Sequence, residues 1–201
     1  MSEAIDELEE TEPEVDDGEP LEAPELDPEV KARRDAALIH VRKFGDPVLK
    51  TQARRVEQFD DALRQEVDRM GLLMNDALGI GLAATQIGVL HRVLVYRVQQ
   101  DAPVSALINP ELQWTSSEEE IAEEGCLSLP LIHVEVERPV HVRVTAQDGH
   151  GESLLVEASG LEARVIQHEM DHLDGVLILS RTTREQRKEA MRLLSEQLQP
   201  S

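Results

Sequence analysis

The sequence predicts an α+β fold. Antiparallel or mixed strands pack around a central helix carrying His-Glu-x-x-His, with a long helix before them and another at the C-terminus. Three observations support this. Strand-like runs cluster between residues 92 and 158. Helical periodicities lie around and after them, over 60–78, 161–173 and 183–198. No strand alternates with a crossover helix in the βαβ manner. A length of 201 residues fits one domain.

In the first helix Leu63, Val67, Met70, Met74 and Leu78 recur at steps of three and four, and Asp60 or Asp61 can cap it. Arg92 to Val98 reads as a strand, and 104–108 as a second one that ends at Asn109-Pro110. From His133 to Thr145 apolar and polar residues alternate. Val134, Val136, Val140, Val142 and Val144 share one face, and Pro139 argues for an edge or a bend. Asp148-Gly149 signals a turn, and Ser153 to Ala158 returns as a strand. Ser159 and Glu162 form a capping-box pattern before the next helix, and Gly175 is placed to stop it. Along that helix Leu161, Val165, His168 and His172 form one stripe, which a helix in a globular protein turns toward its core.

The formal charge is −21. Residues 1–30 hold 14 of the acids, four prolines and no Lys or Arg, so this head is expected to be a disordered, solubilising extension. The single folded domain is then 31–201, with order beginning between Val30 and His40. Such acidity disfavours direct nucleic-acid recognition. No apolar run approaches a membrane span. The head lacks the features of a secretory or transit peptide, which points to the cytoplasm. One cysteine excludes an internal disulfide framework. With only four aromatic residues, the core must be aliphatic.

His168-Glu169-Met170-Asp171-His172 places two imidazoles on one helix face, close enough for one ion, with Glu169 able to reach a water beside it. Two histidines do not close a site. No His follows His172, and the upstream candidate for a third ligand is Cys126, in Glu123-Glu124-Gly125-Cys126-Leu127-Ser128. A lone cysteine is more often a small buried hydrophobe. A third segment, Gly79-Ile80-Gly81-Leu82-Ala83-Ala84-Thr85-Gln86, is no dinucleotide fingerprint. Read by itself it is a helix C-cap and a loop, and it offers a backbone edge and the Gln86 amide.

In this order the segments GIGLAATQ, EGCLS and QHEMDH resemble the three motifs of peptide deformylases. The resemblance runs from about Val41 to about Arg192. It implies an α+β fold, one metal ion and removal of the formyl group from N-formylmethionyl nascent chains. By position it implies Cys126, His168 and His172 as metal ligands and Glu169 as general base and then acid. Gln86 and the Leu127 N–H would be the oxyanion donors. Ile80, Leu127 and Val165 would line a methionine pocket, and Gly81 would offer backbone hydrogen bonds. The bland reading of those three apolar residues is plain core. The resemblance favours Fe(II) in the cell, and zinc, nickel or cobalt suit the same donors. The terminal helix carries Arg184, Arg187, Lys188 and Arg192 among acids, which reads first as a solvated face. Family behaviour adds docking near the ribosomal exit tunnel. Thr85 and Leu131 stand where many members have Pro and Gly. Two rivals are an H-E-x-x-H zinc peptidase and a metal-stabilised binding module.

Overall fold

The computed structural model describes residues 26–197. In chain order the helices are α1 (Pro28–Leu38), α2 (Asp61–Asp76), α3 (Gly160–Leu173) and α4 (Arg184–Gln197). The strands are β1 (Gly81–Ala83), β2 (Val93–Tyr96), β3 (Ser105–Thr115), β4 (Glu119–Cys126), β5 (Leu129–Pro139), β6 (His141–Gln147) and β7 (Ser153–Ser159). An antiparallel five-stranded sheet has the order β1-β2-β3-β6-β7, and β4 and β5 form a separate antiparallel pair.

The large sheet is covered on both faces. Met70 and Met74 of α2 pack with Leu82, Val93, Val95 and Ile108. Ala163, Ile166 and Leu173 of α3 pack on the other side with Ala83, Leu94, Leu107, Val142 and Val144. This is why β2, Val-Leu-Val-Tyr, is buried throughout. The β4–β5 pair has its own core, in which Leu129, Ile132, Val134 and Val136 meet Leu177, Ala190 and Leu194. The small stripe Ala190 and Leu194 docks α4 there, while Arg192 pairs with Glu189 and Glu196 outside. That terminal face is solvated, as its charge pattern suggests.

The first long helix stops at Asp76, which leaves Leu78 outside its apolar stripe and 51% exposed, and Gly81–Ala83 of the expected loop forms β1; five further details differ from the sequence reading. First, α1 begins at Pro28, inside the acidic segment, with the Asp27 carboxylate accepting from the Glu29 N–H at 2.8 Å. Residues 1–25, for which disorder was expected, lie outside the described residues, as does the Leu198 end of the last helix.

Second, the strand over 104–108 does not end at Asn109-Pro110 but runs to Thr115. Asn109 takes a left-handed backbone, φ +53°, and the register to β6 shifts there. This is a bulge rather than a turn, because the Asn109 side chain binds the chain beside it. Its Oδ1 accepts from the Val56 N–H at 2.8 Å, and its Nδ2 donates to Val56 O at 2.9 Å.

Third, the alternating run from His133 to Thr145 belongs to two sheets. It breaks at Pro139, β5 lying before and β6 after. Fourth, Ser159 and Glu162 do not form a capping box. The Ser159 hydroxyl bonds to His141 Nδ1 at 2.8 Å, and Glu162 accepts from the Tyr96 hydroxyl at 2.9 Å. Fifth, Leu161 is exposed rather than in the core stripe, although Val165 and His172 are buried.

Asn109→Ala leaves two buried backbone groups without partners and puts a Cβ residue less suited to φ > 0 in the bulge. The expected cost is about 3 kcal/mol, read as a shift of the denaturant midpoint at unchanged slope.

Candidate active site

Three separate segments meet at one end of α3. The end of β4 brings Cys126, the last turns of α3 bring His168 and His172, and the short 3-10 helix Ala84–Ile87 after β1 brings Gln86. Sγ of Cys126 lies 3.2 Å from Nε2 of His172. One ligand atom from each of Cys126, His168 and His172 falls within 4.8 Å of the other two. The two imidazoles meet edge to face with ring centroids 5.0 Å apart.

The orientation of His168 is set from behind. Its Nδ1 donates to Glu124 Oε2 at 2.9 Å, which leaves Nε2 for the interior of the site. Glu124 is held by Arg138, whose Nε and Nη2 donate to its two oxygens at 2.6 and 2.9 Å. Arg164 Nη1 donates to Oε1 at 2.9 Å. Arg138 also donates to Asp171 at 2.9 Å, inside the H-E-x-x-H segment itself. Burial opposes ionisation of Glu124, but the Arg138 and His168 bonds outweigh it and hold its pKa at about 2.

Burial likewise favours a neutral Cys126 thiol. The imidazoles of His172 and His168 overcome this and hold its pKa well below the ordinary value. Burial disfavours charge on His168 too, yet the bonds to Cys126 and Glu124 raise its pKa well above the usual range. Glu169 behaves oppositely. Burial pushes its pKa up, with His168 and His172 pulling back. Its Oε2 is buried and has no hydrogen-bond partner among the described residues. Soft thiolate, two imidazoles and an ionisable carboxyl beside them are a donor set that suits a divalent transition-metal ion.

Close backbone approach makes the arrangement possible. A Cβ on Gly81 would sit 2.3 Å from Glu169 Oε1, and one on Gly125 would sit 2.8 Å from the His133 ring. Gln86 is fully buried. Its Oε1 accepts from the Ala83 N–H at 2.9 Å, and its Nε2 faces Ser128 Oγ at 3.3 Å and Cys126 Sγ at 3.7 Å. The Leu127 carbonyl accepts from Lys43 Nζ at 3.0 Å, while its N–H has no hydrogen bond among the described residues. Thr85 donates its hydroxyl to His172 O at 3.1 Å and so tethers the end of α3.

These groups open into a cleft of about 390 Å³. Ile80, Gly81, Leu127 and Val165 all line it, as do Gln86, Cys126, His168 and Glu169. His172 lies behind them, 1% exposed. Ile80 is 45% exposed and therefore is not core. Leu131, on the cleft rim, has φ +64° and is 80% exposed. That left-handed backbone is the conformation in which glycine costs nothing.

Sequence reasoning missed Glu124, Arg138 and Arg164. A signal for Arg138 existed, since it continues the parity of Val134 and Val136 and so places a guanidinium on a buried face. Arg164 stands four residues before His168, on the same helix side.

The sequence profile of the polypeptide deformylase family matches residues 38–188. A peptide deformylase of Thermotoga neapolitana is 49% identical over 157 residues, covering 78% of this chain and 92% of that one. One from Parafrankia sp. is 45% identical over 156 residues, covering 78% and 85%. Among solved structures, a peptide deformylase from Synechococcus elongatus in complex with actinonin superposes with a TM-score of 0.74 at 40% identity. The match spans 80% of this chain and 91% of that one. The Thermotoga maritima peptide deformylase gives 0.69 at 45% identity, over 71% and 96%. The fold and site thus define a hydrolase of a metal-dependent family. The chain belongs to the peptide deformylase family and removes N-terminal formyl groups from nascent peptides.

Glu124→Gln strips a buried ion network of its central charge. A loss of about 3–5 kcal/mol is expected at pH 7, together with weaker retention of a bound metal. The folded pKa of about 2 lies below the ordinary 4.5. Ionised Glu124 therefore contributes stability above about pH 4.5, and that contribution is lost as pH falls toward 2. Denaturant unfolding across that range should show a steeper acid loss for the wild type than for Glu124→Gln.

Proposed function

We propose that Cys126, His168 and His172 hold the catalytic ion, and that Glu169, Gln86 and the Leu127 N–H perform the proton transfer and charge stabilisation. The observation that carries this reading is the convergence of one thiolate and two imidazoles beside a buried, partnerless carboxyl oxygen. When bound, a divalent cation supplies acidity to water and positive charge to the reacting carbonyl. Fe(II) is the proposed ion in the cell, with zinc, nickel or cobalt able to occupy the same donors in purified protein. An iron–thiolate pair is oxidation-prone, which fits a proposed cytoplasmic setting. No described helix is long and apolar enough to cross a membrane.

The peptide enters as an extended strand. β1 is the terminal strand of the large sheet, so its outer edge is open to backbone pairing beside Gly81. Ile80, Leu127 and Val165 receive the methionine side chain. Glu169 accepts a proton from the attacking water, and the water oxygen adds to the formyl carbon. Negative charge grows on the former carbonyl oxygen, where Gln86 Nε2 and the Leu127 N–H donate. Each such donor is typically worth about 3 kcal/mol. The C–N bond then breaks, and Glu169 returns its proton to the amine nitrogen. Formate and a peptide with a free N-terminus leave. The burial that raises the Glu169 pKa suits both halves of this exchange. A formyl group is the smallest acyl group, so a tight cleft admits it and excludes bulkier acyl chains.

Docking near the ribosomal exit tunnel is proposed for the α4 face, where Arg184, Arg187 and Lys188 are exposed. Reversing these three charges should reduce co-sedimentation with ribosomes and leave hydrolysis of a free formylated tripeptide intact. Unaltered co-sedimentation would remove the α4 assignment.

Hydrolysis of formyl-Met-Ala-Ser tests the central reading. Activity should vanish with chelator and return with metal. Glu169→Ala should keep one equivalent of metal yet lose at least about 100-fold in kcat. Turnover at the wild-type rate by Glu169→Ala would show that another group moves the proton.

A further inference from the structure

We propose that Arg34 on α1 is a specificity residue that, with Lys43, favours substrates carrying an acidic side chain beyond the formylmethionine. This rests on the reading of the cleft as the deformylation site. Arg34 precedes the stretch shared with the family profile, which begins at residue 38. It stands on α1, four residues before that stretch.

The placement follows from the helix. Buried Ala37 seats α1 against the body of the protein. Arg34 and Leu38, four residues apart, then share one side of the helix, and both line the cleft. Arg34 is half-buried there and has no carboxylate partner among the described residues. By contrast Lys31, on the same helix, is paired with Asp35 at 2.8 Å. The Asp35 carboxylate lies within electrostatic reach of Arg34 but forms no ion pair with it, and a partly buried guanidinium without such a partner among the described residues is a demand for one.

Lys43 adds to that demand. One of its three N–H donors is spent on Leu127 O, which leaves two. Burial lowers the Lys43 pKa, the Cys126 thiolate opposes this, and the Arg34 guanidinium lowers it further. The two cations therefore lie within electrostatic reach of each other. Deeper in the cleft Glu124 and Arg164 bind each other, and buried Glu169, whose Oε2 has no partner among the described residues, is the proton acceptor of the proposed reaction. The remaining exposed charge on the lining is Glu123, carried by β4 rather than by α1. A peptide leaving the metal site along the α1 side meets positive charge, and one leaving along β4 meets negative charge. Half-buried Arg34, without an ion-pair partner among the described residues, is the stronger determinant because its field is less screened than that of exposed Glu123.

The test uses metal-loaded full-length enzyme and formyl-Met peptides of five residues with Glu, Gln or Lys at the second, third or fourth position. The readout is the ratio of kcat/KM for Glu over Lys within each enzyme, so that any general loss of activity cancels. At one of these positions the wild type should prefer Glu by about three- to tenfold. The preference should shrink toward unity in Arg34→Gln, persist in Arg34→Lys, and weaken at high salt. Equal rates for Glu and Lys at all three positions, or a Glu preference that survives in Arg34→Gln, would overturn the assignment. Absence of turnover on every formylated peptide would instead overturn the reading of the cleft itself, and this inference with it.

Discussion

The site depends on one buried carboxylate. Glu124 receives two N–H groups from Arg138, one from Arg164 and one from His168. Those donors come from β5 and α3, and Glu124 itself stands on β4. A single side chain thus locks the two-stranded sheet to the helix that carries the histidines. Cys126 follows two residues later, so the same lock fixes the thiol against the imidazoles. Removing a charge from water costs several kcal/mol, and such a group persists in a folded protein only when it is fully matched. The bidentate Arg138 contact and the extension to Asp171 supply that match.

The rest of the geometry is a matter of how closely backbone can approach. Gly81 lets Glu169 lie against β1, and Gly125 lets β4 cross the His133 ring. Any side chain at Gly81 would displace the Glu169 carboxyl by about 1 Å, enough to spoil a hydrogen bond. Gln86 is fixed by a bond from its own loop, the Ala83 N–H, so its amide points at the thiol without needing substrate to order it. The polar groups proposed to meet the reacting atoms are therefore arranged in advance, the condition under which electrostatic stabilisation is most effective.

The elements dictated by strong local periodicity were legible in the sequence: α2 with its Asp60 cap, β2, β7 and α3. So was the grouping of Cys126, His168 and His172, whose ligand-type atoms lie within 4.8 Å of one another. What escaped depended on distant partners. β4 is glutamate-rich and lacks alternation, and it is a strand because β5 pairs with it and Glu124 finds two arginines. The Asn109 bulge exists because Val56, over fifty residues away, offers both a donor and an acceptor. Ser159 has the right spacing for a cap, but its hydroxyl is claimed by His141 across the sheet. Pro139 marked a bend, and only the packing reveals that the chain changes sheets there. Leu131 and Thr85, the two departures from the usual family residues, have physical readings here. The first accepts a left-handed backbone at an exposed rim, and the second substitutes a hydroxyl bond to His172 O.

The central claim is that one sulfur and two imidazole nitrogens share a single cation and leave room for solvent. X-ray absorption on protein loaded with one equivalent of Co(II) measures that coordination directly. The account predicts one sulfur and two nitrogen scatterers with a further light-atom ligand that exchanges with solvent, and loss of the sulfur shell in Cys126→Ser. A sphere without sulfur, or one filled entirely by protein atoms, would contradict it.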